Sequence, residues 1–334
     1  MAHYQVQIFG NEISYDAVFP STRYQGSKQK IADWIWKNIE DLKFESFHDA
    51  FSGTAALAII ENSSSNLTKA DVEFLLTPHK DVNYTTFIQD TFKDIYYTDE
   101  ENAFLDIIIK NIQQLTDKYK RAIAFVALGQ ACLVKRPFNL FHRKNLYIRF
   151  ADVERSFGNK TTWDRPFPHY FKDFVREFNA AVFSNNKNNK ALNLDIFNAP
   201  DNHYDLVYID TPYISPVGVG VDYYQFYHFL EGMVDYDNWA SRIDYSSKHR
   251  RMKPEYDIWV DKNAITNAFD RLFKKFQDSF LVVSYRHSGI PSKDTLKQLL
   301  EQYKRDVVLK EKDYKYVLSK KNGDKNGEVL LIAK

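Results

Sequence analysis

The spacing of apolar residues predicts five helices along the chain. Ile31, Ile35 and Ile39 recur every four positions, which places them on one face of a helix. Apolar residues that recur among charged ones, or an Ala-rich apolar run, mark four further segments. The predicted helices span residues 28–40, 102–115, 118–133, 264–276 and 293–303.

Short apolar runs predict strands between these helices, at residues 46–51, 206–210 and 280–285. The second run is apolar on both faces, which is typical of a central strand in a parallel sheet covered by helices. Two later runs, 314–318 and 328–333, flank a polar stretch and predict a β-hairpin with a long turn. Because strands alternate with helices, the pattern indicates an α/β fold.

The composition is that of a globular protein with a sizeable core. The chain has 334 residues, of which 44% are hydrophobic, and only 11 Gly and 10 Pro, which excludes disordered and collagenous classes. This length suggests one large domain, or a core domain with an inserted subdomain. The single cysteine, Cys132, rules out a disulfide framework and argues against a Cys-based zinc site, and we expect no metal.

The apolar runs are too short for a membrane protein. The longest, residues 122–134, is interrupted by polar positions and falls short of the roughly 20 residues that a bilayer requires. The first residues lack the basic and apolar regions of a signal peptide. We therefore expect a soluble, cytoplasmic protein with no membrane partner.

The first segment with candidate chemistry is residues 47–56. It is typical of a strand, a turn of small residues and the start of a helix, where backbone N–H groups face a ligand. Asp49, at the strand end, can accept a hydrogen bond from an ammonium or a hydroxyl group. An ordinary strand-to-helix connection is the alternative interpretation.

The second segment is an apolar strand that ends in Asp210, Thr211, Pro212 and Tyr213. Pro212 fixes its own φ and moves Thr211 toward extended geometry, so that the Thr211 carbonyl points in a defined direction. The Asp210 carboxylate and this carbonyl are two acceptors beside the planar ring of Tyr213. Such a trio suits an exocyclic amino group on a flat heterocycle, and a strand end with a simple turn is the alternative.

The third segment, residues 23–28, precedes the first predicted helix. It lacks the upstream Gly and the Gly-Lys pair of a phosphate-binding P-loop, which excludes that function. Considered alone, it could equally be a loop that ends in an N-cap at Ser27.

Together the three segments resemble the D12 class of DNA N6-adenine methyltransferases. The family pattern is Tyr-x-Gly-Ser-Lys, then Asp-x-Phe-x-Gly-x-Gly, then a late Asp-Pro-Pro-Tyr, matched here in that order by residues 24–28, 49–55 and 210–213. The resemblance implies a Rossmann-like, S-adenosylmethionine-dependent sheet with helices on both faces and an inserted DNA-recognition subdomain. We expect residues 20–134 and 191–334 to form the catalytic domain, and about 135–190 with 218–262 to form the DNA-recognition region.

The resemblance also implies roles for single residues. Asp195 would bind the adenine amino group of the cofactor, and the other implied residues would line its methionine side. The complete cofactor-binding set is Tyr24, Gly26, Lys28, Asp49, Phe51, Ser52, Gly53 and Asp195. In the catalytic set of Asp210, Thr211, Pro212 and Tyr213, the first two would bind the target N6 and Tyr213 would stack on the flipped base.

Three departures from the family pattern concern the cofactor and catalytic loops. Thr211 replaces the first Pro of the late motif, where the expected contact comes from the backbone carbonyl. Ala55 replaces the last Gly of the cofactor loop. The acid that grips the cofactor ribose has no clear match, and Glu61, Asp71 and Glu73 all remain open.

Charge is balanced overall but not locally. Against a net charge of +1, residues 135–165 contain eight Lys and Arg and three acids, and residues 242–253 contain five and one. We expect these segments to contact DNA, with solvated charged faces as the alternative. The predicted DNA-binding residues are Lys135, Arg136, Arg143, Lys144, Lys248, Arg250 and Arg251.

The sequence thus predicts a site-specific adenine-N6 methyltransferase that uses S-adenosylmethionine and flips its target out of double-stranded DNA. It would be the modification enzyme of a restriction–modification system, with a cognate restriction endonuclease acting on the same site as a partner. Two alternatives stay open: methylation of an amino group on RNA or a protein amide, and a DNA-binding relative that has lost activity.

Overall fold

The computed structural model describes residue 28 and residues 30–51, 66–154, 159–182, 189–200, 203–313 and 327–334. These residues form two compact units, and the chain passes between them repeatedly. The described parts of the first unit are residues 66–154, 159–182, 189–191 and 223–254. The second unit comprises residue 28 and residues 30–51, 192–200, 203–222, 255–313 and 327–334.

Twelve α-helices and five β-strands make up most of the regular structure in the described residues. The helices are α1 (Ala32–Ile39), α2 (Lys69–Leu76), α3 (Phe87–Thr91), α4 (Asp99–Gln114), α5 (Lys118–Val134), α6 (Tyr147–Phe150), α7 (Asn159–Asp164), α8 (Phe167–Ala180), α9 (Tyr223–Val234), α10 (Trp239–Arg242), α11 (Ile265–Lys275) and α12 (Lys293–Leu300). The strands are β1 (Phe47–Asp49), β2 (Leu206–Ile209), β3 (Phe280–Arg286), β4 (Val307–Asp313) and β5 (Gly327–Ala333). None of these helices is long and apolar enough to span a bilayer.

The second unit is built on an open mixed sheet with the order β1-β2-β3-β5-β4. The first three strands are parallel, whereas β5 is antiparallel to both β3 and β4. Helix α1 covers one face of the sheet, and α11 with α12 covers the other. The structure therefore confirms the predicted α/β fold, with helices on both faces and β2 as a central strand.

The alternation of β2 side chains explains why both faces are covered. Leu206 packs with the α1 side chains Ile31 and Ile35, whereas Val207 and Ile209 pack with the helices on the opposite face. All three strand residues are fully buried. Burial of apolar side chains on both faces of a strand is what a parallel sheet between helix layers requires.

The first unit is helical, and aromatic side chains fill its core. Phe92, Tyr96, Phe141, Phe229 and Trp239 are all fully buried, and the rings of Phe141 and Phe229 stack with centroids 5.0 Å apart. Helix α4 begins with a reciprocal capping box between Thr98 and Glu101. Helix α5 packs against α8 in this unit. The boundary predicted between the catalytic domain and the DNA-recognition region, at residues 134 and 135, therefore lies inside the first unit.

All five predicted helices are confirmed, as are the three predicted strands, with ends that differ by a few residues. The hairpin prediction is confirmed for its second strand, β5. In the described residues, β5 pairs antiparallel with β4, which precedes the run predicted at 314–318, and also with β3. Residues 314–326 lie outside the described residues.

Candidate functional site

Three carboxylates lie at one edge of the sheet in the second unit. Asp49 ends β1, and Asp210 directly follows β2, which is parallel to it. Because β5 is antiparallel, its beginning lies at this same edge, where Glu328 pairs with Arg286 at the end of β3. The carboxyl edge of parallel strands is where open α/β sheets bind their ligands.

Asp210, Lys28, Tyr213 and Glu328 form one hydrogen-bonded cluster. The Lys28 Nζ lies 3.3 Å from Asp210 Oδ1 and 2.7 Å from Glu328 Oε1, and it also contacts the Tyr213 hydroxyl. That hydroxyl lies 3.0 Å from Asp210 Oδ1 and 2.8 Å from Glu328 Oε1. Ser284 donates to Glu328 Oε1 at 2.7 Å. The cluster fixes the Tyr213 ring and the Asp210 carboxylate relative to each other.

Burial and the neighbouring charges set the protonation of this cluster. Burial raises the pKa of Asp210 to about 6, although the Lys28 ammonium opposes that rise. Burial by itself lowers the pKa of Lys28, but the carboxylates of Asp210 and Glu328 outweigh it and the net shift is upward. Lys28 therefore remains a cation, and Asp210 is ionised near neutral pH.

The turn after β2 carries the rest of the predicted catalytic set. Thr211 is buried, with its hydroxyl 3.2 Å from the Pro212 carbonyl, and Pro212 is half-buried. Val221 N donates to the Tyr213 carbonyl at 3.1 Å, so the following loop returns to the motif. The structure brings Asp210, Thr211 and Tyr213 together in one short turn.

Lys28 belongs to the hydrogen-bonded cluster, whereas the other predicted cofactor residues in the described part of the chain adjoin the rings of Phe51, Trp259 and Phe197, which we call the aromatic wall. Asp49 Oδ1 accepts from the Phe51 backbone at 3.2 Å, and burial raises the pKa of Asp49 to about 6. The Phe51 ring meets Trp259 edge-on at 4.9 Å, and Trp259 stacks on Phe197 at 5.8 Å. Asp195 is exposed, and its carboxylate accepts from the Phe197 backbone at 2.8 Å.

Six positions named in the sequence analysis lie outside the described residues, namely Tyr24, Gly26, Ser52, Gly53, Ala55 and Glu61. The two other candidates for the ribose acid lie on α2 of the first unit. Asp71 caps that helix and pairs with Lys120 at 2.7 Å, and Glu73 lies 3.8 Å from Lys69.

Glu328, Phe197 and Trp259 are site residues that the sequence analysis did not identify as such. Glu328 is fully buried, and β5 is otherwise apolar apart from its first residue, Gly327. A single acid inside a buried apolar strand is the signal that could have identified it, because a buried charge requires partners. Trp259 follows the basic segment and had no motif to mark it.

Two of the predicted DNA contacts are in fact interior residues. Lys135 is 1% exposed, and its ammonium pairs with Glu101 at 2.7 Å. The Arg136 guanidinium, also 1% exposed, lies 4.1 Å and 4.0 Å from the ring centroids of Tyr96 and Phe141. Both side chains have partners inside the unit, so we do not retain them as DNA contacts.

The other predicted DNA contacts reach solvent. Arg143, Lys144 and Lys248 are exposed, and Arg250 and Arg251 are half-buried. Arg251 lies 3.3 Å from Asp244, which offsets part of its charge. The structure brings Lys144, Lys248 and Arg250 together around one surface depression.

Comparison with known proteins identifies related sequences. The family model of the D12 class N6 adenine-specific DNA methyltransferases matches residues 24–280. The chain is 27% identical to the type II methyltransferase M2.HphI of Haemophilus parahaemolyticus, over 94% of this chain and 97% of that protein. It is 23% identical to the modification methylase LlaI of Lactococcus lactis subsp. lactis, over 92% of this chain but 53% of that protein. A 28% identity to the modification methylase StsI of Streptococcus sanguinis covers 44% of this chain and 22% of that protein. No solved structure matches the chain.

Proposed function

Since this chain belongs to the D12 class of N6 adenine-specific DNA methyltransferases, we propose that it methylates adenine N6 in double-stranded DNA with S-adenosylmethionine as donor. Its open mixed sheet is consistent with the fold of S-adenosylmethionine-dependent methyltransferases. One observation supports the proposal most directly. The half-buried Asp210 carboxylate and the Thr211 carbonyl follow β2, beside the strand that ends in Asp49.

The residues of the aromatic wall and the sheet edge suit S-adenosylmethionine. When bound, this cofactor supplies an electrophilic methyl group on a sulfonium. Asp49 can accept from its ammonium group and Asp195 from its adenine amino group, while Phe51, Phe197 and Trp259 offer apolar surface. Tyr24, Gly26, Lys28, Ser52 and Gly53 complete the proposed set through the family motifs.

The catalytic turn would prepare the amino nitrogen for attack. The N6 lone pair is delocalised into the purine ring, and two acceptors on the N6 protons localise electron density on the nitrogen. Asp210 and the Thr211 carbonyl are those acceptors, and Pro212 fixes the turn that carries them. The other contribution of the chain is to hold the nitrogen in line with the methyl group.

The target adenine must leave the duplex to reach such a turn. Flipping costs a few kcal/mol of unstacking and unpairing. Tyr213 would recover part of that cost by stacking on the base, since its hydroxyl is held by Asp210 and Glu328 while its ring is half-buried.

The proposed DNA contacts are five cations of the first unit that reach solvent, namely Arg143, Lys144, Lys248, Arg250 and Arg251. We retain the assignment of residues 135–190 with 218–262 to DNA recognition, and of 20–134 with 191–334 to catalysis, as part of this proposal. Two of the relatives are named modification methylases. We therefore propose a role as the modification enzyme of a restriction–modification system, with a restriction endonuclease of the same site as its partner.

Substitution of Asp210 tests the proposed chemistry. We expect Asp210→Asn to lower the single-turnover rate of methyl transfer by about 100-fold or more, by analogy with the loss of one preorganised catalytic hydrogen bond. The dissociation constant for S-adenosylmethionine should stay within about threefold, because Asp49 and the aromatic wall are intact. Asp33→Asn, an exposed acid of the same unit, is the matched control. A retained rate in Asp210→Asn would remove this residue from its role.

A further inference from the structure

An open depression on the first unit is lined by four cationic side chains. Lys93, Lys144, Lys248 and Arg250 face it, together with the hydroxyl residues Thr91, Ser246 and Ser247. Two acids, Asp90 and Asp94, also line it, so the four positive charges exceed the negative ones by two. Lys93, Lys144 and Lys248 are exposed, and none of them forms an ion pair within the described part of the chain. The depression therefore carries a net positive charge. The Ser246 hydroxyl donates to Asp244 and the Ser247 hydroxyl lies 3.2 Å from His249 Nδ1, so the exposed lysines are the groups available to an anion.

Backbone hydrogen bonds hold the separate segments of this depression together. The amides of Asn145 and Leu146 donate to the Ile95 carbonyl at 3.3 Å and 3.2 Å, which ties the segment with Lys144 to the one with Lys93. The buried Tyr96 hydroxyl lies 2.8 Å from the His249 carbonyl, which anchors the loop with Lys248 and Arg250. Lys144 and Lys248, which lie far apart in the sequence, thus belong to one built surface.

The buried Arg136 contacts residues that hold the lining of this depression in place. Its guanidinium lies against the rings of both Tyr96 and Phe141 and donates to Asn145 Oδ1 at 3.0 Å. Asn145 in turn donates to the Pro137 carbonyl at 2.9 Å. Arg136 therefore fixes the residue next to Lys144 and the ring that anchors the 246–250 loop, so it acts as a positioning residue.

We propose that this depression binds a backbone phosphate of duplex DNA and that Lys93 is one of its ligands. Lysine, arginine and hydroxyl side chains are the usual protein donors to phosphate oxygens, and such contacts set register without reading sequence. The excess of positive charge attracts an anion. Because the Tyr96 hydroxyl holds the loop with Lys248 and Arg250 in place, cations from different segments can contact several acceptor oxygens of one anion. This inference rests on the proposed DNA methyltransferase function, and it adds a binding site that the motifs do not contain.

Neutralising the lysines of the depression tests the proposal. The triple variant Lys93→Gln, Lys144→Gln, Lys248→Gln is compared with a control of equal charge change, Lys69→Gln, Lys80→Gln, Lys118→Gln, whose exposed lysines lie outside the depression and outside the proposed DNA-recognition region. The dissociation constant for a random-sequence duplex is measured against salt concentration. Loss of a phosphate contact should lower the slope of log affinity against log salt by about 1 and weaken binding to all sequences alike. Equal slopes for the two triple variants would overturn the proposal.

Four further measurements separate this site from the proposed function. Circular dichroism and binding of S-adenosylmethionine without DNA should be unchanged in both triple variants, which shows that the fold is intact. Inorganic phosphate is titrated as a second probe, and a variant that loses it while binding DNA normally would assign the depression to a free anion and overturn the proposal. If the wild-type protein methylates DNA but the depression variant binds DNA normally, the phosphate site alone fails. If the wild-type protein transfers no methyl group to DNA, the proposed function itself fails.

Discussion

Asp210 is the residue whose environment matters most for the proposed chemistry. Burial favours its neutral form, and the Lys28 ammonium 3.3 Å away favours its charged form. Only the charged form is a strong acceptor for an amino group. The position of Lys28 therefore bears on catalysis through Asp210, whatever contact it makes with the cofactor.

The pH dependence of methyl transfer follows from this balance. With a pKa of about 6, Asp210 loses its charge as the pH falls below that value, and acceptor strength falls with it. We expect kcat/KM for DNA, measured with saturating S-adenosylmethionine, to rise with pH up to about 6 and then to level off. The pKa of Asp49 is also raised to about 6, so the cofactor dissociation constant is measured separately over the same range. A profile without an acid limb would contradict this role for Asp210.

The stability of an Arg136 variant tests whether this cation of the basic segment is a structural residue of the interior. Because its guanidinium is buried against two aromatic rings, we expect Arg136→Ala to lower the free energy of unfolding by about 3 kcal/mol. The exposed neighbour Arg143 is the control, and its replacement by Ala should change that free energy by less than about 0.5 kcal/mol. Urea unfolding followed by fluorescence gives both values. Equal stabilities would mean that Arg136 is not a structural residue.

Among the strands, the antiparallel β5 has the largest effect on the site. It pairs between β3 and β4, and its direction brings Glu328 to the edge where β1 and β2 end. There one carboxylate oxygen accepts from Lys28, Tyr213 and Ser284. A strand near the end of the chain thus fixes side chains that come from its beginning and its middle.

Two glutamates on neighbouring strands test this arrangement. Glu328→Ala should lower the free energy of unfolding by about 3 kcal/mol, because it removes a fully buried carboxylate and leaves the half-buried Lys28 ammonium with one partner fewer. Glu311 on β4 pairs with Lys293 at the surface, and Glu311→Ala should cost less than about 1 kcal/mol. Thermal or urea unfolding measures both. A smaller loss for Glu328→Ala than for Glu311→Ala would contradict the cluster.

Helices and strands could be predicted from the sequence wherever a local pattern of apolar residues determines them. The two-sided apolar run of β2 and the four-residue spacing of α1 each identify an element without knowledge of its neighbours. The pairing of β5 with β3 and β4, and the partners of Glu328, depend on residues far apart in sequence. For that reason the sequence predicted Glu328 as a strand residue but not as part of the site.

For the chain as a whole, the division of charge was only partly predictable. Segment counts identified residues 135–165 and 242–253 as basic, but they could not tell that Lys135 and Arg136 point inward. Nor could they reveal Lys93, which reaches the same depression from another segment. Local charge predicts the side of the molecule that attracts an anion, whereas burial decides which cations are available to it.

The proposed activity of this chain is methylation of adenine N6 in DNA. To test it, the wild-type protein is incubated with methyl-labelled S-adenosylmethionine and genomic DNA that lacks adenine methylation, and the nucleosides are then separated. We expect label in N6-methyladenine and none when RNA replaces the DNA. Label in N4-methylcytosine, or no label from a protein that still binds the cofactor, would contradict it.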